Sequence, residues 1–230
     1  IGLQKNGITV EAFDLSEVFY KVNAKEDNDP AVLAKKERLE NYTDFSNVPE
    51  DKKIMLSKIS VVIDEYVEEY HLDALAIRCW NEMETILRVC PCVLLSELND
   101  RVIATSCEID LTSAISMRAM QLASEQPTAV LDWNNNYGDA EDKLILFHCG
   151  SCAQSLMTKK GTVTSHKMFD KGDPGSGWGT NEGRIRPFKT TISNCLTVDG
   201  KIKIYASEAE FTDDPIEDAY FGCAGVCQIP

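Results

Sequence analysis

No run of about 18 apolar residues, the minimum for a membrane-spanning helix, occurs anywhere in the 230 residues. No basic segment followed by an apolar one opens the chain either, so a signal sequence is not expected at its start. Positive charge is scarce: 23 Lys and Arg stand against 37 Asp and Glu, a formal net charge of −14. That balance excludes nucleic acid and anionic membrane surfaces as partners, because the electrostatic part of such binding would be repulsive. A small neutral or cationic ligand, or a metal ion, is what it leaves. Internal repeats and low-complexity tracts are absent. Gly172, Gly175, Gly177 and Gly179 share one loop, but that loop neither follows a predicted strand nor opens a helix, which makes it a poor phosphate or dinucleotide cradle. An even cysteine count is also missing. The nine cysteines, at 79, 90, 92, 107, 149, 152, 195, 223 and 227, are scattered through core-like strands as well as loops. A secreted disulfide scaffold is smaller and evenly countable, so a reducing cytoplasm is the expectation.

What is present is enough apolar sequence, 43% of residues, for a real core in one large or two modest domains. The alternation over residues 7–13 predicts a strand, and Asp14-Leu-Ser-Glu17 offers caps for a short helix around Val18 to Val22. Asp29-Pro30 starts a second helix running through Glu37. Ile54, Leu56, Ile59, Val62, Ile63, Tyr66 and Val67 recur as on a long amphipathic helix over residues 50–70. The apolar run from Leu72 to Ile77 reads as a strand buried on both faces. It delivers Arg78, Cys79, Trp80, Asn81 and Glu82 to its carboxyl end. Short helices are predicted over residues 83–89 and 93–98, and a strand over 102–105. Three βα-like units make a doubly wound α/β layer the expected class for residues 1–124. Beyond it, predicted strands over 143–147, 161–165, 184–192 and 201–206, with a hairpin turn at Asp199-Gly200, give a β-rich, mainly antiparallel domain over residues 125–230.

The chain is organised around the stretch from Cys107 to Trp133. A helix starting near Glu108, with an apolar stripe of Ile109, Leu111, Ile115, Met117, Met120 and Leu122, leads through Glu125-Gln126-Pro127 to a short strand ending at Leu131. Glu108 is thus expected at a helix N-terminus and Asp132 at a strand C-terminus, on the edge where ligands bind α/β sheets. Two carboxylates there can chelate a hard divalent cation or work as an acid/base pair. The bland alternative is a capping Glu and a solvated turn Asp. His148 ends a strand as Asp132 does; it can ligate a metal already held by carboxylates, hydrogen-bond a substrate, or serve the structure alone. Cys149-x2-Cys152 and Cys223-x3-Cys227 are candidate halves of a structural zinc site, with buried free thiols as the alternative. His148 and Cys149 are not expected to meet as base and nucleophile, since neighbours on a strand point to opposite faces. The charge-dense run from Lys35 to Glu40 reads as a solvated helix face.

The segments LNDRVIATSCEIDLTSAISMRAMQ (98–121), TAVLDWNNN (128–136) and LFHCG (146–150), in this order, resemble the L-fucose isomerase-like sugar isomerases, relatives of the L-arabinose isomerases. In that family a Glu after such a Cys and an Asp about two dozen residues on bind a divalent ion, usually manganese; here the separation is 132 − 108 = 24 residues. The resemblance implies a metal-dependent ketol isomerase that interconverts an aldose and a ketose through an enediolate, with L-fucose, L-arabinose or D-arabinose as the type of substrate. It implies Glu108 and Asp132 as catalytic residues and as Mn2+ ligands. His148, from its place at a strand end, is the candidate for a third ligand, without a clear match to the family's own histidine ligand. Trp80, Asn81, Trp133 and Trp178 are the candidates for the sugar-binding wall. Family members are longer at both ends, carry a further histidine ligand near their C-terminus, and form homo-oligomers, commonly hexamers. With Ile1 in place of Met and an ending at Gln228-Ile229-Pro230, this sequence is expected to be a middle-to-late portion of such an enzyme. A non-catalytic sugar-binding relative and a zinc-stabilised interaction module are the competing expectations.

Overall fold

The structure, a computed structural model, describes residues 2–217 and 220–230. The first part of the chain is helical: α1 (Gly2–Lys5), α2 (Leu15–Ala24), α3 (Pro30–Tyr42) and α4 (Glu50–Glu69). Local sequence sets their starts. The Asp14 side chain accepts from the Ser16 amide, and that of Asp29 from the Ala31 amide with Pro30 at the first helical position, so orphan N–H groups are satisfied. α4 carries the predicted stripe: Leu56, Ile59 and Val62 are fully buried, and Ile63 and Tyr66 nearly so. Each such aliphatic side chain contributes about 1.5–3 kcal/mol on burial. Lys35 belongs to this layer as a buried ion-pair partner of Asp64, so that part of the 35–40 run is an anchored surface rather than a solvated one.

The strand expected over residues 7–13 does not form. Residues 8–14 have no ladder partner. Phe13 instead packs its ring 4.6 Å from that of Tyr66 and 4.7 Å from that of Tyr70, so an aromatic contact with α4 wins over the alternating pattern.

The parallel sheet among the described residues has two strands, β1 (Ala74–Ala76) and β2 (Ala104–Ser106), in register Ala74 to Ala104. Between them run a π-helix (Met83–Leu87) and α5 (Cys92–Asp100). α5 is buried on all sides from Cys92 to Asn99, with Ser96, Glu97 and Asn99 among the buried residues, so its polar groups need partners. Its one deeply buried acid, Glu97, is paired with Arg38 at 2.6 Å and Arg101 at 3.3 Å. The Asn99 amide donates to the Thr105 carbonyl at 3.0 Å, and its oxygen accepts from the Thr105 N–H at 2.9 Å, which pins β2 against α5. α6 (Leu111–Ser124) follows.

The remainder is β-rich, as expected. β3 (Asp132–Asn136), β4 (Lys143–His148), β5 (Thr162–Ser165), β6 (Trp178–Arg184), β7 (Phe188–Val198), β8 (Lys201–Phe211) and β9 (Cys223–Gln228) form a seven-stranded sheet with central order β3-β4-β9-β6-β5. All neighbours are antiparallel except β6 and β9. The helix α7 (Lys167–Asp170) interrupts it. The strand expected over 184–192 is split around Ile185-Arg186-Pro187, since proline removes a ladder donor. Asp199 and Gly200, both at positive φ (51° and 72°), close the β7–β8 hairpin as a two-residue turn requires.

Two main cores result. One joins the helical layer to Val163 and Trp178, and the other fills the sheet with Leu144, Leu146, Ile185, Phe211, Cys223 and Cys227. No helix among the described residues is long and apolar enough to cross a membrane.

Candidate functional site

Asp132 opens β3 instead of ending a strand. Its ladder partner is Phe147, one residue before His148, while Ala129 and Leu131 pack into the sheet core without strand pairing. The register would set Leu131 opposite His148, the last residue of β4, but the ladder stops at Asp132 and Leu131 turns into the core instead. His148 itself lies opposite Cys223 and is buried.

Glu108 does not cap α6. The helix begins at Leu111, and Asp110 is its cap: the Asp110 carboxylate accepts from the Ser113 amide at 2.9 Å and the Thr112 hydroxyl at 2.8 Å. Glu108 and Ile109 precede it with φ of 59° each. Two successive left-handed residues, one β-branched, are costly at about 1–3 kcal/mol apiece, and such strain clusters where a side chain must be aimed. Both side chains are exposed.

Beneath this turn lies a group of thiols. Cys92, at the start of α5, Cys107, between β2 and α6, and Cys149, just after β4, bring their sulfurs within 4.8 Å of one another. Cys92 and Cys149 are 3.7 Å apart, and Cys79 lies 3.0 Å from Cys107. The expectation that His148 and Cys149 point apart is wrong: His148 Nδ1 is 3.4 Å from Cys149 Sγ and 3.2 Å from Ser151 Oγ. The strand stops at His148, so alternation no longer governs Cys149, and the bend at Gly150 turns the thiol back. Hydrogen bonds from Cys107 and Cys92 hold the Cys149 thiol far below its usual range, against burial and with help from His148 and His166. Cys92 and Cys107 are correspondingly pushed up, chiefly by those same thiol contacts. Burial opposes charge on His148, but Cys149, then the charges of Asp132 and Glu108, push its pKa up to about 9.

Asp132 and Glu108 are therefore each close enough to act on His148 electrostatically. Among the described residues, however, the one set of three ligand atoms mutually within 4.8 Å is the Cys92, Cys107 and Cys149 thiols. Two exposed carboxylates and one imidazole are the donor types a manganese-like ion takes, so the chemistry of the set fits. The expected zinc halves do not combine. Cys152, Cys223 and Cys227 lie in the sheet core, whereas Cys149 packs with Cys90, Cys92 and Phe221.

Trp80 borders the thiols and meets His166 edge-on at 6.0 Å and Phe169 at 4.9 Å. Asn81 is exposed and its carbonyl accepts from Thr85, while Glu82 is held by Arg78 at 2.6 Å. Trp133 is 59% exposed, next to Asp132, and so available to a ligand. Trp178 packs against the helical core, and its carbonyl accepts from the Cys90 amide at 2.9 Å.

Glu84 and His166 were not singled out from the sequence. Glu84 sits in the π-helix with one carboxylate oxygen unpartnered, and burial pushes its pKa up to about 7. π-turns and shifted carboxyls both concentrate at functional sites. A lone Glu inside the apolar run Met83 to Leu87 was the available signal.

No family model matches the chain. Over 150 residues it is 29% identical to the sulfoquinovose isomerase of Clostridium sp. (strain MSTE9), covering 65% of this chain and 33% of that protein. The same coverage holds for sulfoquinovose isomerases of Alkalicoccus urumqiensis, at 28% identity, and Priestia aryabhattai, at 27%. The match spans about a third of the length of these relatives. By sequence, this chain is similar to sugar isomerases.

Proposed function

We propose that the chain is part of a metal-dependent aldose–ketose isomerase whose active site includes the rim formed by Glu108, Asp132 and His148. One observation carries this reading: contacts at or next to each of the three draw them toward one another. The Cys107 and Cys149 sulfurs lie within 4.8 Å of each other, which draws the chain positions of Glu108 and His148 together. Asp132 pairs with Phe147, the neighbour of His148, and the charges of Asp132 and Glu108 both act on His148, all of which supports the reading. The strained turn at Glu108 and Ile109 fits a carboxylate aimed at a ligand.

The reaction moves a hydrogen between C1 and C2 of the sugar and a proton between their oxygens. Glu108 and Asp132, as two carboxylates, suit removal of the carbon-bound proton and its return to the adjacent carbon. His148, anchored through Nδ1 by Cys149 and Ser151, keeps a fixed ring orientation. Mn2+ or another divalent ion held by these three residues would supply Lewis-acid polarisation of the sugar oxygens. Trp133 and Trp80 offer faces for the sugar ring, with Asn81 as a polar contact; Trp178 serves from behind, by fixing Cys90. The relatives' names make sulfoquinovose the first monosaccharide to test, ahead of L-fucose, L-arabinose and D-arabinose. A cytoplasmic, homo-oligomeric enzyme, hexameric as the resemblance implies, completes the proposal; the nine free thiols fit a reducing compartment.

The test is turnover by the full-length enzyme with Mn2+ and each sugar in turn. Ketose formed from at least one of them, and abolished by a chelator, is the expected result. Metal-replete enzyme that binds a sugar yet yields no ketose from any would overturn the reading.

A further inference from the structure

Five of the nine cysteines, Cys79, Cys90, Cys92, Cys107 and Cys149, collect in one buried place, and all nine are free. Three of them come from separate elements: the first residue of α5, the loop between β2 and α6, and the residue after β4. They are 2%, 2% and 9% exposed, and no disulfide joins them. We propose that Cys92, Cys107 and Cys149 form a thiolate site for a soft d10 ion, zinc, separate from the carboxylate rim.

The geometry suits that ion. With Zn–S bonds of about 2.3 Å in a tetrahedron, neighbouring sulfurs stand about 3.8 Å apart; Cys92 and Cys149 are at 3.7 Å, and all three sulfurs fall within 4.8 Å of one another. Cys79, whose sulfur is 3.0 Å from that of Cys107, is the donor assigned to the fourth corner, which it reaches by turning its side chain. His148 is the poorer fourth donor because its Nδ1 also faces Ser151. Thiolates select soft ions and leave hard, oxygen-seeking ones to the carboxylates, so the two sites take different metals. Cys107 precedes Glu108 and Cys149 follows His148. Zinc on the sulfurs would therefore staple the two backbone positions that carry the rim.

The test uses the full chain with its thiols reduced, zinc alone as the probe, and Co2+ as the spectroscopic stand-in. One equivalent of zinc should survive gel filtration, and cobalt should give sulfur-to-metal charge-transfer absorption in the near ultraviolet that zinc abolishes. Replacing Cys92→Ser or Cys107→Ser should weaken zinc binding by at least about tenfold, whereas Cys195→Ser should not change it. Cobalt bound without the charge-transfer band, or zinc affinity unchanged in Cys107→Ser, would overturn the proposal. Because a serine in this core can unfold the chain, unmodified protein is also alkylated with and without zinc and mapped by mass spectrometry. Protection confined to Cys79, Cys92, Cys107 and Cys149 is expected; no protection, or protection of Cys152 and Cys223 instead, would count equally against it.

Discussion

Glu84 and His166, both buried, each carry a polar atom with no hydrogen-bond partner, and the charge of His166 works against the burial that raises the Glu84 pKa. Burial wins. The folded-state pKa of Glu84 is pushed from 4.5 up to about 7, with the charges of Cys149 and Glu82 acting in the same direction. An acid whose pKa rises on folding is held neutral in the folded state while the unfolded chain has already lost its proton. Its effect on stability is therefore nil below about pH 4.5 and unfavourable above it, growing as pH rises to about 7 and levelling off beyond. In Glu84→Gln that component should vanish, so the stability difference between variant and parent should widen in the variant's favour from pH 5 to pH 8. Urea denaturation across that range checks it; a difference that stays flat would mean Glu84 is not held neutral.

The strained turn gives a second expectation. At ordinary positions Ala is more stabilising than Gly by about 0.5–1 kcal/mol, but a left-handed residue with a Cβ costs about 1–2 kcal/mol. Ile109, at φ 59° and 47% exposed, loses little packing on truncation. Ile109→Gly should therefore be more stable than Ile109→Ala. Thermal melting of the two variants decides it, and the usual order, Ala above Gly, would show that the turn relaxes freely.

Gly179 is where β6 meets the segment leading to the thiols. Its φ is +134°, and a Cβ built there would stand 1.9 Å from the Cys90 carbonyl oxygen. Backbone cannot yield by that much without breaking the hydrogen bond between the Cys90 amide and the Trp178 carbonyl. Gly179→Ala should cost more than about 3 kcal/mol, in the range of severe single substitutions. Guanidinium denaturation measures the loss, and a shift under about 1 kcal/mol would mean that this crossing is loose.

Much of the fold was legible because local signals and burial agreed. The stripe of α4, the caps at Asp14 and Asp29, and the Asp199-Gly200 turn each rest on residues a few positions apart. Errors arose where tertiary contacts overrode pattern. Phe13 chose Tyr66 and Tyr70 over a strand, and Asp132 took its place from the register with Phe147, which no local sequence encodes. The thiol group was illegible for the same reason: Cys92, Cys107 and Cys149 have no ligand-like spacing and meet only because α5, β2 and β4 pack together. Of the two carboxylates near the α6 start, the sequence placed Glu108 at the helix N-terminus, with capping as its bland alternative, whereas the left-handed pair at Glu108 and Ile109 leaves the cap to Asp110.

That exchange of roles yields the last prediction, which separates the two acids by what each replacement harms. Asp110 spends its carboxylate on the Ser113 amide and hydroxyl and the Thr112 hydroxyl, so Asp110→Ala should lower stability by about 1 kcal/mol, the usual loss of an N-cap. Glu108 is exposed and makes no such bond, so Glu108→Gln should leave stability within about 0.5 kcal/mol of the parent. In the full-length enzyme the order should reverse. Glu108→Gln keeps the size of the side chain but removes its charge and basicity, and turnover should fall by about 10²–10⁴-fold if that carboxylate moves a proton in the transition state. Asp110→Ala should retain turnover close to the parent's at temperatures where it stays folded. Denaturation curves and initial rates on the same two variants provide both readouts. If Glu108→Gln isomerises sugar as fast as the parent, the rim at Glu108, Asp132 and His148 is not where the chemistry occurs, whatever the chain resembles.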